Sequence, residues 1–222
     1  EARQMIVTDD IASAPRAEAH LRRGIAGDFV VFKVLGAAAE QGLDIDEVMR
    51  LGELANAKTF TLGLAFSGCT FPGATEPHFT VPDGKMGLGL GIHGEPGLED
   101  VDWVPASELA KILVSRILEE RPEGSSGRVA AILNGLGATK YEELFLLWGF
   151  VAAELRDSGL TIVGPEVGEL VTSLDMGGVS LTLCWLDDEL EPLWMAPCDT
   201  PAFKRGGMQF DPTEVGEDAE WD

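Results

Sequence analysis

Basic residues are scarce in this 222-residue chain: 16 Lys and Arg stand against 38 Asp and Glu, for a formal net charge of −22 at pH 7. Nucleic acids and anionic membrane surfaces are held by positive potential, so neither is an expected partner. The acids are spread along the sequence, which fits a role in solubility. Cysteine is rarer still. Cys69, Cys184 and Cys198 are odd in number, far apart and set in apolar contexts, so they suggest no disulfide framework and fit a reducing cytoplasm. There is no Cys-x-x-Cys or His-x-x-x-His pair, and His20, His78 and His93 are distant in sequence, so no metal site is expected. No apolar run reaches the roughly 20 residues of a membrane span, and no signal peptide is visible. The sequence also lacks a Gly-x-x-x-x-Gly-Lys-Ser/Thr phosphate loop and a protein-kinase catalytic loop. It opens on Glu1 rather than Met, and residues are expected to precede it in the natural protein.

The apolar content of 45% is enough for a real core. Met5–Thr8 reads as a short strand. Gly24–Gln41 reads as a helix stopped by Gly42, and Asp44, with Glu47 at the capping-box spacing, starts a second helix with Val48, Leu51 and Leu54 on one face. Residues 1–58 therefore read as the closing part of a doubly wound α/β subdomain. From Thr59 the texture changes. Alternation predicts strands at Thr59–Phe66, Met86–His93, Arg128–Asn134, Leu160–Val163 and Val179–Leu186. Helical spacing predicts Pro105–Arg121 and Tyr141–Asp157, with a short last helix capped by Asp187 and ending near Pro197. The second helix is apolar nearly all round and is expected to be buried. Residues 59–203 thus read as a mixed α+β domain, and 204–222 as an acidic mobile tail in which Phe210 and Trp221 are weak binding candidates.

The most informative stretch is Gly87-Leu-Gly-Leu-Gly-Ile-His-Gly-Glu-Pro-Gly97, where one histidine stands among glycines. Glycine permits close backbone approach and positive φ, and histidine is the side chain most easily tuned near neutral pH. Gly89-x-Gly91-x-x-Gly94 matches the dinucleotide fingerprint in letters only. That motif needs a helix opening at its last glycine, whereas Glu95-Pro96-Gly97 follows and Asp100 and Asp102 would repel phosphate. The plain alternative is a tight turn with an exposed histidine. Elsewhere Gly135–Gly137, Asn134 and Thr172-Ser173 read as structural, Cys69 as buried or incidental, and Trp103, Trp148, Trp185 and Trp194 as core or interface bulk.

Five segments occur in order: Arg23-Gly-Ile-Ala-Gly27, Leu88-Gly-Leu-Gly-Ile-His-Gly-Glu-Pro-Gly97, Asn134-Gly-Leu-Gly137, Thr172-Ser-Leu-Asp-Met176 and Ser180-Leu-Thr182. Together they resemble the substrate-binding subunit or domain of dihydroxyacetone kinases, from Met5 to about Pro201. The resemblance implies that His93 joins the substrate carbonyl as a hemiaminal while a phosphoryl group passes to a terminal hydroxyl. It further implies that magnesium with ATP or ADP sits on a separate nucleotide domain or subunit, with no cofactor in this chain, and that the protein is a cytoplasmic homodimer. The family's aspartate base, second histidine and hydroxyl contacts lie upstream of the matched stretch. Asp9 and Asp10 are not taken as substitutes. The chain thus looks like the later half of such a subunit, acting on dihydroxyacetone or a related short ketose. The alternative is a non-catalytic ketose-binding or regulatory relative.

The chemistry suits the residue. Neutral imidazole has a lone pair that can add to a carbonyl carbon, and imidazolium does not. A ketose offers that carbon and glycerol does not. Glu95 is the nearest partner in sequence for the other ring nitrogen, although residues two apart can point apart.

Overall fold

The structure, a computed structural model, describes residues 2–206; most of the expected tail, with Phe210 and Trp221, lies outside them. A 3-10 turn at Arg16–Leu21 precedes helices α1 (Asp28–Glu40) and α2 (Ile45–Ala57). Then come β1 (Thr59–Ala65), β2 (Lys85–Leu88), β3 (Glu99–Asp102), α3 (Ala106–Leu118), β4 (Arg128–Gly135) and α4 (Tyr141–Asp157). β5 (Thr161–Ile162), β6 (Glu166–Gly168), β7 (Gly178–Trp185) and α5 (Leu190–Met195) follow, then a small hairpin of β8 (Cys198–Asp199) and β9 (Lys204–Arg205). Seven strands form one mixed sheet in the order β3-β2-β1-β7-β4-β5, with β6 also on β4. β5 and β6 run parallel to β4, and the other pairs are antiparallel. This is the mixed α/β class expected from the sequence.

Alternation along the strands builds two cores. On β7, Val179, Leu181, Leu183 and Trp185 join Ala131 and Leu133 of β4 beneath α3 and α4, while Cys184 joins Ala130 and Ile132 beneath α1, α2 and α5. The packing does not break at residue 58, because Val30, Val34 and Leu51 share the second core with β4 and β7. Leu133 lies at the centre of the sheet with no exposure. Its replacement by alanine is expected to cost about 2–5 kcal/mol, read as a lower urea midpoint with an unchanged slope.

Local signals set the helix ends. After α1, Gly42 at φ +78° lets its own N–H reach the Ala39 carbonyl and that of Leu43 reach Ala38, which closes the last turn. The Asp44 carboxylate accepts from the Glu47 N–H at 2.9 Å. The reciprocal half of the capping box is absent, since the Glu47 carboxylate instead takes Arg50. Asp187 accepts from the Leu190 N–H at 2.9 Å and starts α5.

Four expectations need correction. Met5–Thr8 forms no strand, because the Thr8 N–H is taken by the Asn56 side chain of α2 and the chain first meets the sheet at Asp10 beside Thr61. β2 ends at Leu88 instead of His93, since Gly89 turns at φ +73°. β3 lies outside the expected strands: Glu99-Asp-Val-Asp102 has a single apolar residue and is held by edge pairing with β2. α4 is buried on one face only, through Leu144, Leu147, Val151 and Leu155, while Tyr141, Phe145, Leu146 and Phe150 stay exposed. A helix laid on a sheet and one neighbouring helix presents a single stripe to both. At the other end, ordered chain runs on through β9, where the Arg205 guanidinium stacks 4.2 Å over the Trp194 ring.

Candidate functional site

The histidine loop joins β2 to β3. Its stem is closed where the Leu98 N–H donates to Leu88 O at 2.8 Å, and it is tied to the sheet where the Gly89 N–H donates to Gly63 O at 2.8 Å. At the tip the Gly94 N–H donates to Gly91 O and the Gly91 N–H to Glu95 O, both at 3.0 Å, which places His93 in a tight turn. Gly94 sits at φ +80°, and a Cβ there would collide with the Phe79 ring. Glycine is required at that position on both counts.

His93 has a side chain that is 77% exposed. Glu95 grips it twice: one carboxylate oxygen accepts the His93 backbone N–H at 3.0 Å and the other lies 3.3 Å from Nδ1. A carboxylate at Nδ1 favours the Nδ1–H tautomer and leaves the Nε2 lone pair free. Partial burial pushes the Glu95 carboxyl up. Hydrogen bonds from the backbone of Glu95 and His93 and from the His93 ring, with the positive charge of Arg23, outweigh it and hold the carboxyl below its ordinary value. Sequence spacing undervalues Glu95, because how residues two apart face each other depends on the backbone between them, and here the tight turn brings the Glu95 carboxylate back onto His93.

The motifs separated in sequence converge on this loop. Ser173 donates through its hydroxyl to the carbonyl of Ile92, the residue before His93, while its own N–H donates to Leu136 O at 2.8 Å. Ser173 is therefore an anchor of the loop, a role that its sequence context does not signal. Asn134 is fully used: Nδ2 donates to Val171 O and Ser180 Oγ, and Oδ1 accepts the N–H groups of Leu170 and Val171. It pins the 170–173 segment across the sheet end. Leu90 and Ile92 pack against Ala65, Cys69, Leu136 and Met176, and Cys69 is buried in that cluster.

Arg23–Gly27 lies beside the loop, since Ile25 and the Leu90 carbonyl both approach Gly63 of β1. Asp9 shapes this segment by accepting the N–H groups of Ile25 at 2.9 Å and Gly27 at 2.7 Å. Asp10 accepts Arg23 Nε at 2.8 Å. Both acids have structural partners.

Residues 1–202 match the Dak1 domain across most of the chain. The chain belongs to the Dak1 domain family. Among Dak1 relatives, D-erythrulose kinase of Mycolicibacterium smegmatis is 62% identical over 209 residues, spanning 94% of this chain and 36% of that protein. The dihydroxyacetone-binding subunit DhaK of a PTS-dependent dihydroxyacetone kinase from Listeria innocua is 42% identical over 200 residues, 90% of this chain and 60% of that one. In structure, the dihydroxyacetone kinase of C. freundii superposes with a TM-score of 0.76 at 35% identity, over 86% of this chain and 34% of that one. A dihydroxyacetone kinase operon co-activator, DhaQ, gives 0.78 at 30% identity, over 87% and 60%. This Dak1 chain thus spans about a third to three-fifths of the relatives it matches.

Two cavities lie elsewhere. One, of about 660 Å³, is lined by residues such as Thr8, His20 and Asn56; the other, of about 810 Å³, lies between α1 and the β8–β9 hairpin. His93 lines neither of them. The glycine loop does not fit a nucleotide phosphate. It opens no helix, the N–H groups of Gly91, His93 and Gly94 are already used, and the Glu95 carboxylate occupies their midst. Among the described residues no group of three or more His, Cys, Asp or Glu is placed to hold a metal, and no helix is long and apolar enough to cross a membrane.

Proposed function

We propose that this chain is the ketose-holding part of a short-chain ketose kinase and that His93 captures the substrate as a hemiaminal. The observation that carries the reading is the turn that presents an exposed imidazole with Glu95 at Nδ1. The Nε2 lone pair forms a C–N bond to the ketose carbonyl carbon, and the carbonyl π pair moves to oxygen, which takes a proton from water. The Nδ1 proton passes to Glu95 and on to solvent, so the captured adduct is neutral. Glycerol has no such carbon, so a covalent anchor selects the ketose where hydroxyl contacts alone would admit both. The anchor also fixes the terminal hydroxyl for phosphoryl transfer, in which positioning does much of the work.

The names of the relatives favour dihydroxyacetone and four-carbon erythrulose as the substrate class. The phosphoryl donor, with its magnesium, belongs on a separate domain or subunit, since nothing in the glycine loop cradles phosphate. Self-association as a homodimer and a cytoplasmic setting complete the reading. A regulatory, non-catalytic role is the second reading, favoured by the likeness to a co-activator.

The test is carbon-13 NMR of dihydroxyacetone labelled at its carbonyl carbon, added to the protein. Capture moves the ketone signal to the range of a tetrahedral carbon bearing nitrogen and oxygen. A ketone signal unchanged at saturating protein would remove the reading. Glu95→Gln is expected to weaken capture by roughly tenfold through loss of tautomer control, measured in the same titration.

A further inference from the structure

Residues 66–84 join β1 to β2 without a helix or strand of their own. Ordered loops longer than about 12–15 residues usually serve a function. This one is folded back on itself and tied down. The His78 N–H donates to Cys69 O at 2.8 Å, and the Phe79 carbonyl stands where a Cβ of Gly68 would be. The Thr70 N–H donates to the Asp175 carboxylate at 2.6 Å, and the Gly177 N–H to Ser67 Oγ at 2.8 Å. The 172–177 segment, whose Ser173 anchors Ile92, therefore holds this loop as well. The fixed loop brings one aromatic ring to the histidine turn. Phe79 lies against the backbone of Gly94, where a Cβ would collide with the ring. It also packs on the cluster of Ala65, Cys69, Leu136 and Met176 that receives Ile92. Phe79 thus touches the residue after His93 and shares a cluster with the residue before it.

We propose that Phe79 is a positioning residue whose ring seats the His93 turn and so fixes where the imidazole meets the ketose. The inference rests on His93 being the nucleophile. The His93 side chain is 77% exposed, so its own packing does not fix it in space. Its place must come from the backbone on either side. The hydrogen bonds among Gly91, His93, Gly94 and Glu95 define the shape of the turn, not its place on the sheet. Ser173 fixes the near end through the Ile92 carbonyl, and Phe79 supports the far end at Gly94. Glycine has the widest backbone freedom, so Gly94 without that support lets the turn swing. Gly68 has a linked part: any side chain there pushes the Phe79 backbone away from its present place.

The experiment compares the wild type with Phe79→Ala, Phe79→Tyr and Gly68→Ala by two readouts. The first is the equilibrium constant for dihydroxyacetone capture by carbon-13 NMR. The second is amide hydrogen exchange at His93 and Gly94, with Leu133 of β4 as the reference for the whole fold. Phe79 is half-buried and lies outside the two main cores, so its loss leaves them packed. Phe79→Ala is expected to weaken capture roughly tenfold, short of the ~10²-fold that a 1 Å displacement of reacting groups can cost. Exchange at His93 and Gly94 rises several-fold and that at Leu133 does not. Phe79→Tyr keeps the ring and stays within about twofold of the wild type. Gly68→Ala keeps the ring but displaces it, so it weakens capture as well, and adding it to Phe79→Ala brings no further loss. Capture unchanged in Phe79→Ala overturns the proposal. So does exchange that rises equally at Leu133, which assigns Phe79 a merely structural part, and so do losses that add in the double variant. If the wild type captures no ketose while exchange at His93 and Gly94 still rises in Phe79→Ala, the functional reading fails and the seating of the turn by Phe79 stands.

Discussion

His93→Ala is expected to abolish the carbon-13 adduct signal and to lower kcat/KM for ketose phosphorylation by at least about 10²-fold, measured with the phosphoryl-donating partner present. The factor is a lower bound, taken from the cost of misplacing a substrate by about 1 Å. Without the C–N bond the ketose is held by hydroxyl contacts alone, and its terminal hydroxyl is no longer fixed. The exposed ring contributes little to folding, so unfolding free energy should change by no more than about 0.5 kcal/mol. That separation matters: a variant that lost both activity and stability would report on the turn, not on the nucleophile. In the wild type, capture should decline as pH falls, because protonation removes the attacking lone pair. A ketose adduct that survives in His93→Ala would move the chemistry to another residue.

Asp9→Ala is expected to destabilise the protein by about 4 kcal/mol, the sum of two buried N–H groups left without an acceptor at about 1–3 kcal/mol each. Asp9 is fully buried and holds the Ile25 and Gly27 N–H groups, which define the segment beside the histidine loop. Asp9→Asn retains one acceptor and should cost about half as much. The pH dependence carries a sign. Burial pushes the Asp9 carboxyl above its ordinary value, against hydrogen bonds from Thr61, Ile25 and Gly27. A carboxyl raised on folding binds its proton in the folded state first. Its contribution to stability is therefore fully present below the unfolded value and lost as pH rises through the folded one. Asparagine does not titrate, so the advantage of the wild type over Asp9→Asn should widen as the pH is lowered from neutral toward the ordinary carboxylate range. Urea titrations at several pH values read this difference directly. A narrowing gap would mean that hydrogen bonding, not burial, dominates at this carboxyl.

Much of the fold was legible because its signals are local. Alternation in Val179–Trp185 and helical spacing in Tyr141–Asp157 follow from backbone periodicity, and Gly42 and Asp44 work through bonds within a few residues. The errors came where long-range partners decide. Met5–Thr8 has strand-like composition, but Asn56, 48 residues away from Thr8, takes the Thr8 N–H. The exposed side of α4 reads as core in sequence, because apolar content alone does not say which stripe finds a neighbour. β3 exists because β2 offers an edge, and no pattern within its four residues predicts that.

The sequence by itself determined that a histidine stands on a glycine-rich turn with an acid two residues on, that the core is mixed α/β, and that the family motifs occur in order. Each of these depends on residues near one another in the chain. Tertiary structure alone decided that Glu95 turns back onto His93, that Ser173 ties the loop from 81 residues away, and that Asp9 holds the Ile25 and Gly27 N–H groups of the segment beside the loop. The reason is physical. Electrostatic and hydrogen-bond partners act through distance in space, and the distance between those segments is set only when both cores have packed against the sheet.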